Sequence, residues 1–587
     1  MIRSYWKWVG ALAAGSGLRF LIYGTEPKTT REYTLPTLST RQENIKALKY
    51  KEYDILVIGG GATGAGIALE AASRGLSCGL IERGDFASQT SSKSTKLLHG
   101  GVRYLEKAVK GENIYENLLL VSEALKERDI LINSAPHMNK WLAISVPTDS
   151  YFWLLYYWVG LWVYHFIAYI QNCYTGNAST ELPRPGISFE SQTLIPRLKS
   201  KFKGSTIYYD GQMNDTRLCL EVLLTASSKG YIKGMVQANI ANYCKAVSFI
   251  KKQGLIVGVR AEDLITGEQF DIKAKVVMNC TGVFSDSIRK SAGQRDSDRI
   301  VPAKGSHFLL PSSYTPNGYG LLIPKTTDGR VLFLLPWEGY TIAGTTDEKG
   351  TATVHSFMLS HEKQFLAQEL SRFLNKTPEE ISNDIKGSFS GERPLVKSKD
   401  EKTSSILRTH SVEVSLNGLI SVMGGKWTTF RAMAENAVDV AVERFGLPAK
   451  YISRTRDMKL IGSQINIEEL QSKLIKEYKI SEEQAKYLVK EYGRRSEDVL
   501  KVGRNEQLIE GHPFTIGEIV YSTRSEYAEK PIDIIARRMR LALLDVKSAI
   551  KALDIVINEM GNELKWSKSK REQEYKTAVM ELTQFFS

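Results

Sequence analysis

Between Tyr53 and Glu82 the chain reads YDILVIGGGATGAGIALEAASRGLSCGLIE, passing from strand to turn to helix to strand. The apolar run Ile55-Leu56-Val57-Ile58 suits a short strand buried on both faces of a parallel sheet. Gly59, Gly61 and Gly64 follow at turn spacing, the stretch after them predicts a helix, and residues 77–81 predict a second strand ending at Glu82. Farther along, Leu218, Val222, Leu223 and Ala226 share one helical face. Residues 255–260 and 270–274 read as strands, and the apolar strand 275–279, ending in Cys280-Thr281-Gly282, is placed to rejoin the first sheet. From 301 to 346 the pattern mostly alternates, as in VLFLLPW and YTIAGTT, which predicts a second, antiparallel sheet. Residues 419–423 make another buried strand, Gly424-Gly425 opens a helix over 428–445, and after Leu447 amphipathic stretches such as 531–560 predict a separate C-terminal helical domain.

Two apolar segments stand apart. The first 25 residues combine Arg3, Lys7 and Arg19 with small and apolar residues and hold no acid before Glu26. They resemble a mitochondrial targeting or membrane-anchoring segment more than a secretory signal, because Arg19 interrupts the apolar run; an ordinary amphipathic helix is the alternative. Residues 26–50, polar and rich in Thr and Lys, read as a linker. Segment 151–170, YFWLLYYWVGLWVYHFIAYI, carries no formal charge and is about long enough to span a bilayer. Its Gly160, His165 and many Trp and Tyr favour an interface, so it predicts a helix that is part core and part membrane-contacting.

With 587 residues, 42% hydrophobic and 24% charged, the chain is globular and needs two or three domains. A formal charge of +13 favours an anionic partner: nucleic acid, a phosphate-bearing substrate or an anionic membrane face. No zinc finger, RNP-like motif or aromatic-interleaved basic stripe occurs, so nucleic acid is not expected. The five cysteines lack CxxC spacing, and neither a disulfide framework nor a metal site is expected. The glycine run gains meaning from its setting. Gly59, Gly61 and Gly64 allow a tight turn, close backbone approach to a pyrophosphate and close helix packing, the helix N-terminus offers N–H groups to phosphates, and Glu82 is spaced to accept from ribose hydroxyls.

SQTSSKSTKLLHGGVRYLE (88–106), YYDGQMNDTR (208–217), KGSHFLLP (304–311), DGRVLFLLPW (328–337), IAGTTD (342–347) and GGKWTTFR (424–431) together closely resemble the FAD-dependent glycerol-3-phosphate dehydrogenases, the mitochondrial form most of all. The resemblance covers about residues 50–575. It implies an α/β FAD-binding Rossmann-like domain (about 51–135, 206–300 and 415–447), an antiparallel β-sheet substrate domain of the D-amino-acid-oxidase type (about 136–205 and 301–414), and a C-terminal α-helical domain (448–587), with 1–50 as targeting segment and linker. It implies oxidation of sn-glycerol 3-phosphate to dihydroxyacetone phosphate by hydride transfer to FAD, electrons passing to ubiquinone at the mitochondrial inner membrane, peripheral or monotopic on its lipid surface. An oxygen-using glycerol-3-phosphate oxidase or related FAD oxidase is the alternative, and a homodimer is one arrangement open to it. No D-x-D-x-D-G loop is found, so calcium control is not expected.

The resemblance also carries site residues. Arg330 and Arg103 match positions lining the substrate site, where a phosphate calls for bidentate guanidinium groups, and Tyr104 adds a hydroxyl. Arg393 is a further anion-binding candidate, although Glu392 stands where the family has a small or apolar residue. His307 is the candidate proton acceptor. Lys426, after Gly425, is expected to favour the anionic reduced flavin, with Thr428 beside the ring. Ser91, Ser92, Lys93 and Thr95 match the loop around the pyrophosphate and ring; His99 is expected to touch the flavin or fix that loop. Thr281 and Gly282 end the returning strand near the cofactor.

Overall fold

The apolar runs pair into two sheets in the computed structural model, which describes residues 37–175, 182–397 and 410–586. In the first sheet Glu52–Ile58 lies parallel to Cys78–Ile81 on one side and to Gln269–Asn279 on the other, and Cys78–Ile81 is followed by Asn239–Ala241. The expected return strand therefore rejoins this sheet, with Asn279 opposite Ile58. Beyond it Ile420–Gly424 adds in parallel. Alternation sorts the side chains. Ile55, Val57, Leu80 and Val276 face helices Ala62–Ser73, Asp215–Ala226 and Phe430–Phe445, whereas Leu56, Ile58 and Val277 face the other way.

That second face is covered by Arg41–Tyr50, a helix where the sequence predicted linker. Thr40 and Glu43 close a capping box at its start, and Ile45 and Leu48 are buried against the sheet. The error has a simple cause: a one-sided helix with two apolar anchors has a polar composition. Residues 1–36, including the expected targeting segment, lie outside the described residues.

The second sheet has ten strands. Its central strand Ile300–Pro311 pairs antiparallel with Tyr340–Gly344 on one side and Gly387–Val396 on the other. The sheet is antiparallel except where Gly320–Ile323 runs beside Lys140–Thr148. Gly204–Gln212 straddles the expected boundary at 206 and pairs wholly within this sheet, so the chain returns to the first layer at helix Asp215–Ala226. Helices Ser360–Ser371 and Pro378–Asn383 cover the outer face through Phe308, Leu310, Leu332, Leu334, Leu366 and Ile381.

The C-terminal helices have their own core, but Leu309, Trp337, Ile342 and Phe389 of the second sheet belong to it. Segment 531–560 is broken into a π-helix Asp533–Arg538, a turn of helix Leu541–Leu544 and helix Val546–Glu563, with Arg540 in the left-handed region and Asp545 as cap. Helix Tyr151–Thr175 forms as expected, burying Leu161, Tyr164 and Ala168 and exposing Phe152, Trp153, Leu155, Val159, Phe166 and Tyr169.

Candidate active site

The glycine loop is constrained from two sides. Gly59 has φ +112°, and a Cβ there would come within 2.5 Å of the Cys280 carbonyl oxygen; a Cβ on Gly64 would collide with the Gly59 carbonyl. Only glycine lets the strand, the helix start and the returning strand meet so closely. Gly61 caps helix Ala62–Ser73, whose first turn holds no acid, and Ser91 Oγ accepts from Ala62 N–H at 2.9 Å. Glu82 Oε2 accepts from Gly60 N–H and Oε1 from Gly84 N–H, both at 2.7 Å. Burial pushes this carboxyl up while the two N–H donors pull it down. An anion-receptive helix end, a close backbone approach and an oriented carboxylate fit the diphosphate and ribose of a dinucleotide.

Two loops converge on this cradle. Trp427 Nε1 donates to Ser91 O at 3.0 Å, and His99 N–H donates to Thr428 Oγ1 at 3.2 Å, which ties the Ser-rich loop to the GGKWTT turn. At that turn Gly425 has φ +81°, and a Cβ would overlap Met433. Lys426 Nζ lies 4.1 Å from the Tyr104 ring centroid. The Tyr164 hydroxyl accepts from Gly100 N–H at 2.7 Å, so helix Tyr151–Thr175 reaches the same loop. Ser92 is buried and its hydroxyl donates to Gln89 O. Lys93 is half-buried, its ammonium pushed down to about 8 by burial and by Arg537. Thr281 donates to Asn279 Oδ1, and Gly282 takes φ +56° just after it.

The second sheet supplies the facing wall. Phe308 and Leu310 point into the outer core, so His307 points the opposite way, where its Nε2 lies 3.0 Å from Thr95 Oγ1 and its ring stacks on Phe389 at 4.9 Å. Burial, then Arg393 and Lys96, hold its pKa well below the usual histidine value, and the ring is neutral at neutral pH. Arg393 shares that face. Its guanidinium lies over Gly305, where a Cβ would run into it, and it donates to Thr345 Oγ1 at 2.7 Å and to Asp347 at 3.1 Å. Glu392, next in the strand, points to the outer face and accepts from Ser356 at 2.9 Å, so it does not neutralise Arg393.

Arg330 is not brought to this wall. Its guanidinium pairs with Asp328 at 2.8 Å and lies over the Phe365 ring of the outer helix, on the side that carries Leu332 and Leu334. Arg103 is exposed on helix Val102–Val109, beside Tyr104, without an ion pair or hydrogen bond among the described residues. Sequence reasoning missed Gly305 and the buried pair Lys96–Asp215, in which Nζ meets both carboxylate oxygens at 2.7 and 2.8 Å and also Ser92 O. Lys96 Nζ lies 5.0 Å from the Phe389 ring on which His307 stacks. Gly305 stood in the quoted KGSHF motif; nothing local marks Lys96 as buried. Among the described residues no cluster of His, Cys, Asp and Glu has metal-holding geometry.

The family model described as FAD dependent oxidoreductase matches residues 54–439, and the one described as C-terminal domain of alpha-glycerophosphate oxidase matches 453–571. The mitochondrial glycerol-3-phosphate dehydrogenase of Mus musculus is 40% identical over 561 residues, 92% of this chain and 74% of its own length. That of Arabidopsis thaliana is 39% identical over 581 residues, covering 94% and 90%. Among solved structures, glycerol-3-phosphate dehydrogenase from Bacillus halodurans complexed with FAD aligns with a TM-score of 0.74 at 26% identity, over 93% of this chain and 97% of that one.

Proposed function

This chain belongs to the FAD-dependent glycerol-3-phosphate dehydrogenase family, and from that premise we propose that it oxidises sn-glycerol 3-phosphate to dihydroxyacetone phosphate and passes the electrons to ubiquinone at the mitochondrial inner membrane. FAD, held by the glycine loop, Glu82 and the Ser91–Thr95 loop, supplies the hydride acceptor. The observation that carries the reading is the contact of His307 with Thr95 of the Ser-rich loop, with Arg393 on the same face of its sheet and with Lys426, over the Tyr104 ring, at the turn tied to that loop. Arg393, with a guanidinium that keeps its charge, binds the substrate phosphate, and exposed Arg103 closes on it from the mouth. Neutral His307 accepts the hydroxyl proton at Nε2, the nitrogen that faces the cofactor loop. Lys426 places positive charge where reduction adds negative charge.

The exposed apolar face of helix Tyr151–Thr175 supports a lipid surface as the place of electron exit; residues 151–171 are long and apolar enough to span a bilayer, and only Leu161, Tyr164 and Ala168 among them are buried. Anaerobic titration of the purified protein with glycerol 3-phosphate tests the chemistry: the flavin absorbance is expected to bleach, and an unchanged spectrum overturns the proposal. Lipid-dependent turnover with a quinone analogue is expected, and rapid peroxide formation without one favours an oxidase.

A further inference from the structure

Asp85 lies three residues beyond Glu82 in the same turn and is 1% exposed. Two consecutive arginines of the C-terminal layer grip it: Arg537 Nε and Arg538 Nη1 both donate to Oδ2 at 2.6 Å, and Arg538 Nη2 donates to Oδ1 at 3.0 Å. Asn242 Nδ2 adds a fourth donor at 3.1 Å. Both arginines end the π-helix Asp533–Arg538, a rare geometry that recurs at functional positions.

The turn touches the cofactor cradle at every step. Glu82 orients on Gly60 and Gly84, Tyr243 N–H donates to Gly84 O at 2.9 Å, and Ala87 N–H donates to Gly60 O at 3.1 Å. Phe86 then wedges between the two layers. Its ring would lie 2.8 Å from a Cβ on Gly60 and packs edge-on against Tyr527 of the C-terminal layer at 5.8 Å.

The arginines are themselves fixed. Arg538 Nη2 donates to Glu526 O at 2.6 Å, and Glu526 Oε1 accepts from Arg217 at 2.6 Å and from Arg495 at 2.8 Å, all three side chains being buried. Arg537 pairs with Asp533, whose carboxylate also accepts from Tyr243 Oη at 2.7 Å. The clamp is thus built on a rigid support.

We propose that the C-terminal helical layer is a cofactor-retention element, in which Arg537 and Arg538, through Asp85, hold the turn that presents Glu82 and the glycine loop to the adenosine half of FAD. Asp85, Arg537 and Arg538 are positioning residues. Their charges lie deep enough that removing one leaves its partners uncompensated, and the turn that carries Glu82 relaxes.

The test is titration of deflavinated full-length protein with FAD, followed by quenching of flavin fluorescence, beside thermal unfolding of the same apo-proteins. It uses no glycerol 3-phosphate, so its outcome is independent of the proposed substrate. Asp85→Asn, which keeps the shape and loses the charge, is expected to weaken FAD binding about tenfold or more, and Arg537→Gln, which removes one donor of the clamp, about threefold. A lower unfolding temperature with FAD affinity within about twofold of the unaltered protein shows a merely structural role and overturns the proposal. Where Asp85→Asn does not accumulate, Arg537→Gln decides by the same criterion.

Discussion

At the scale of residues the site depends on which side of a strand a charge occupies. His307 is held neutral by burial first and by Arg393 and Lys96 next. Above pH 6.5 the ring is neutral in folded and unfolded chains alike; below it the unfolded chain takes a proton that the fold refuses, so stability falls by up to about 1.4 kcal/mol per pH unit until the depressed pKa is reached. The same sign applies to chemistry: the rate of flavin reduction should hold from pH about 8 down to about 6, and an acid limb centred at or above the free histidine value would remove His307 as the proton acceptor. Gly305 gives Arg393 its place. Gly305→Ala is expected to raise KM for glycerol 3-phosphate about tenfold with FAD still bound, because it displaces a charge-assisted contact. Arg330→Ala, by contrast, should leave KM within about twofold, since its Nε pairs with Asp328 and its guanidinium lies over Phe365 of the outer helix.

Elements show how far local pattern reaches. The glycine loop, the strand before it, the helix after it and helix Tyr151–Thr175 were legible because apolar period and turn residues are local signals. Arg330 and Arg393 were not told apart. Each lies beside or within a strand of the second sheet, and only the register of Gly387–Val396 on Ile300–Pro311, which sets Arg393 opposite Ala303, puts one guanidinium on the face that carries His307. That register joins segments far apart in the chain. Lys96 was hidden for a similar reason: its partner Asp215 sits on a distant helix. The exposed face of helix Tyr151–Thr175 yields its own prediction. Trp153 and Phe166 are 45% and 58% exposed, and replacing both by serine should weaken vesicle binding by about 2 kcal/mol, roughly thirtyfold, while turnover with a water-soluble acceptor is kept. Equal flotation of variant and unaltered protein on vesicles would place the membrane contact elsewhere.

For the whole molecule the question is whether the C-terminal helices form a separate unit, as their composition predicts. Their core takes in Leu309, Trp337, Ile342 and Phe389 from the substrate sheet, and Phe389 is the ring beneath His307. Charge ties them to the other sheet as well. Arg217, wholly buried on helix Asp215–Ala226, meets Glu526 at 2.6 Å, approaches Glu491 at 3.9 Å and stacks its guanidinium 4.3 Å from the Tyr492 ring, all on the C-terminal side. Layers that share an apolar core and buried ion pairs cannot unfold one at a time without exposing both, so calorimetry of the holoprotein should give one transition. Arg217→Met tests the coupling at its most buried point. It leaves Glu526 with fewer counter-charges in a dry interface and should cost about 3 to 5 kcal/mol, lowering the midpoint of that one transition. Limited proteolysis should release no stable fragment of the helices after residue 448 from the unaltered protein. A first, smaller transition, or a protease-resistant C-terminal piece, would mean that the helical layer folds by itself and that the brace between the two sheets is weaker than its packing implies.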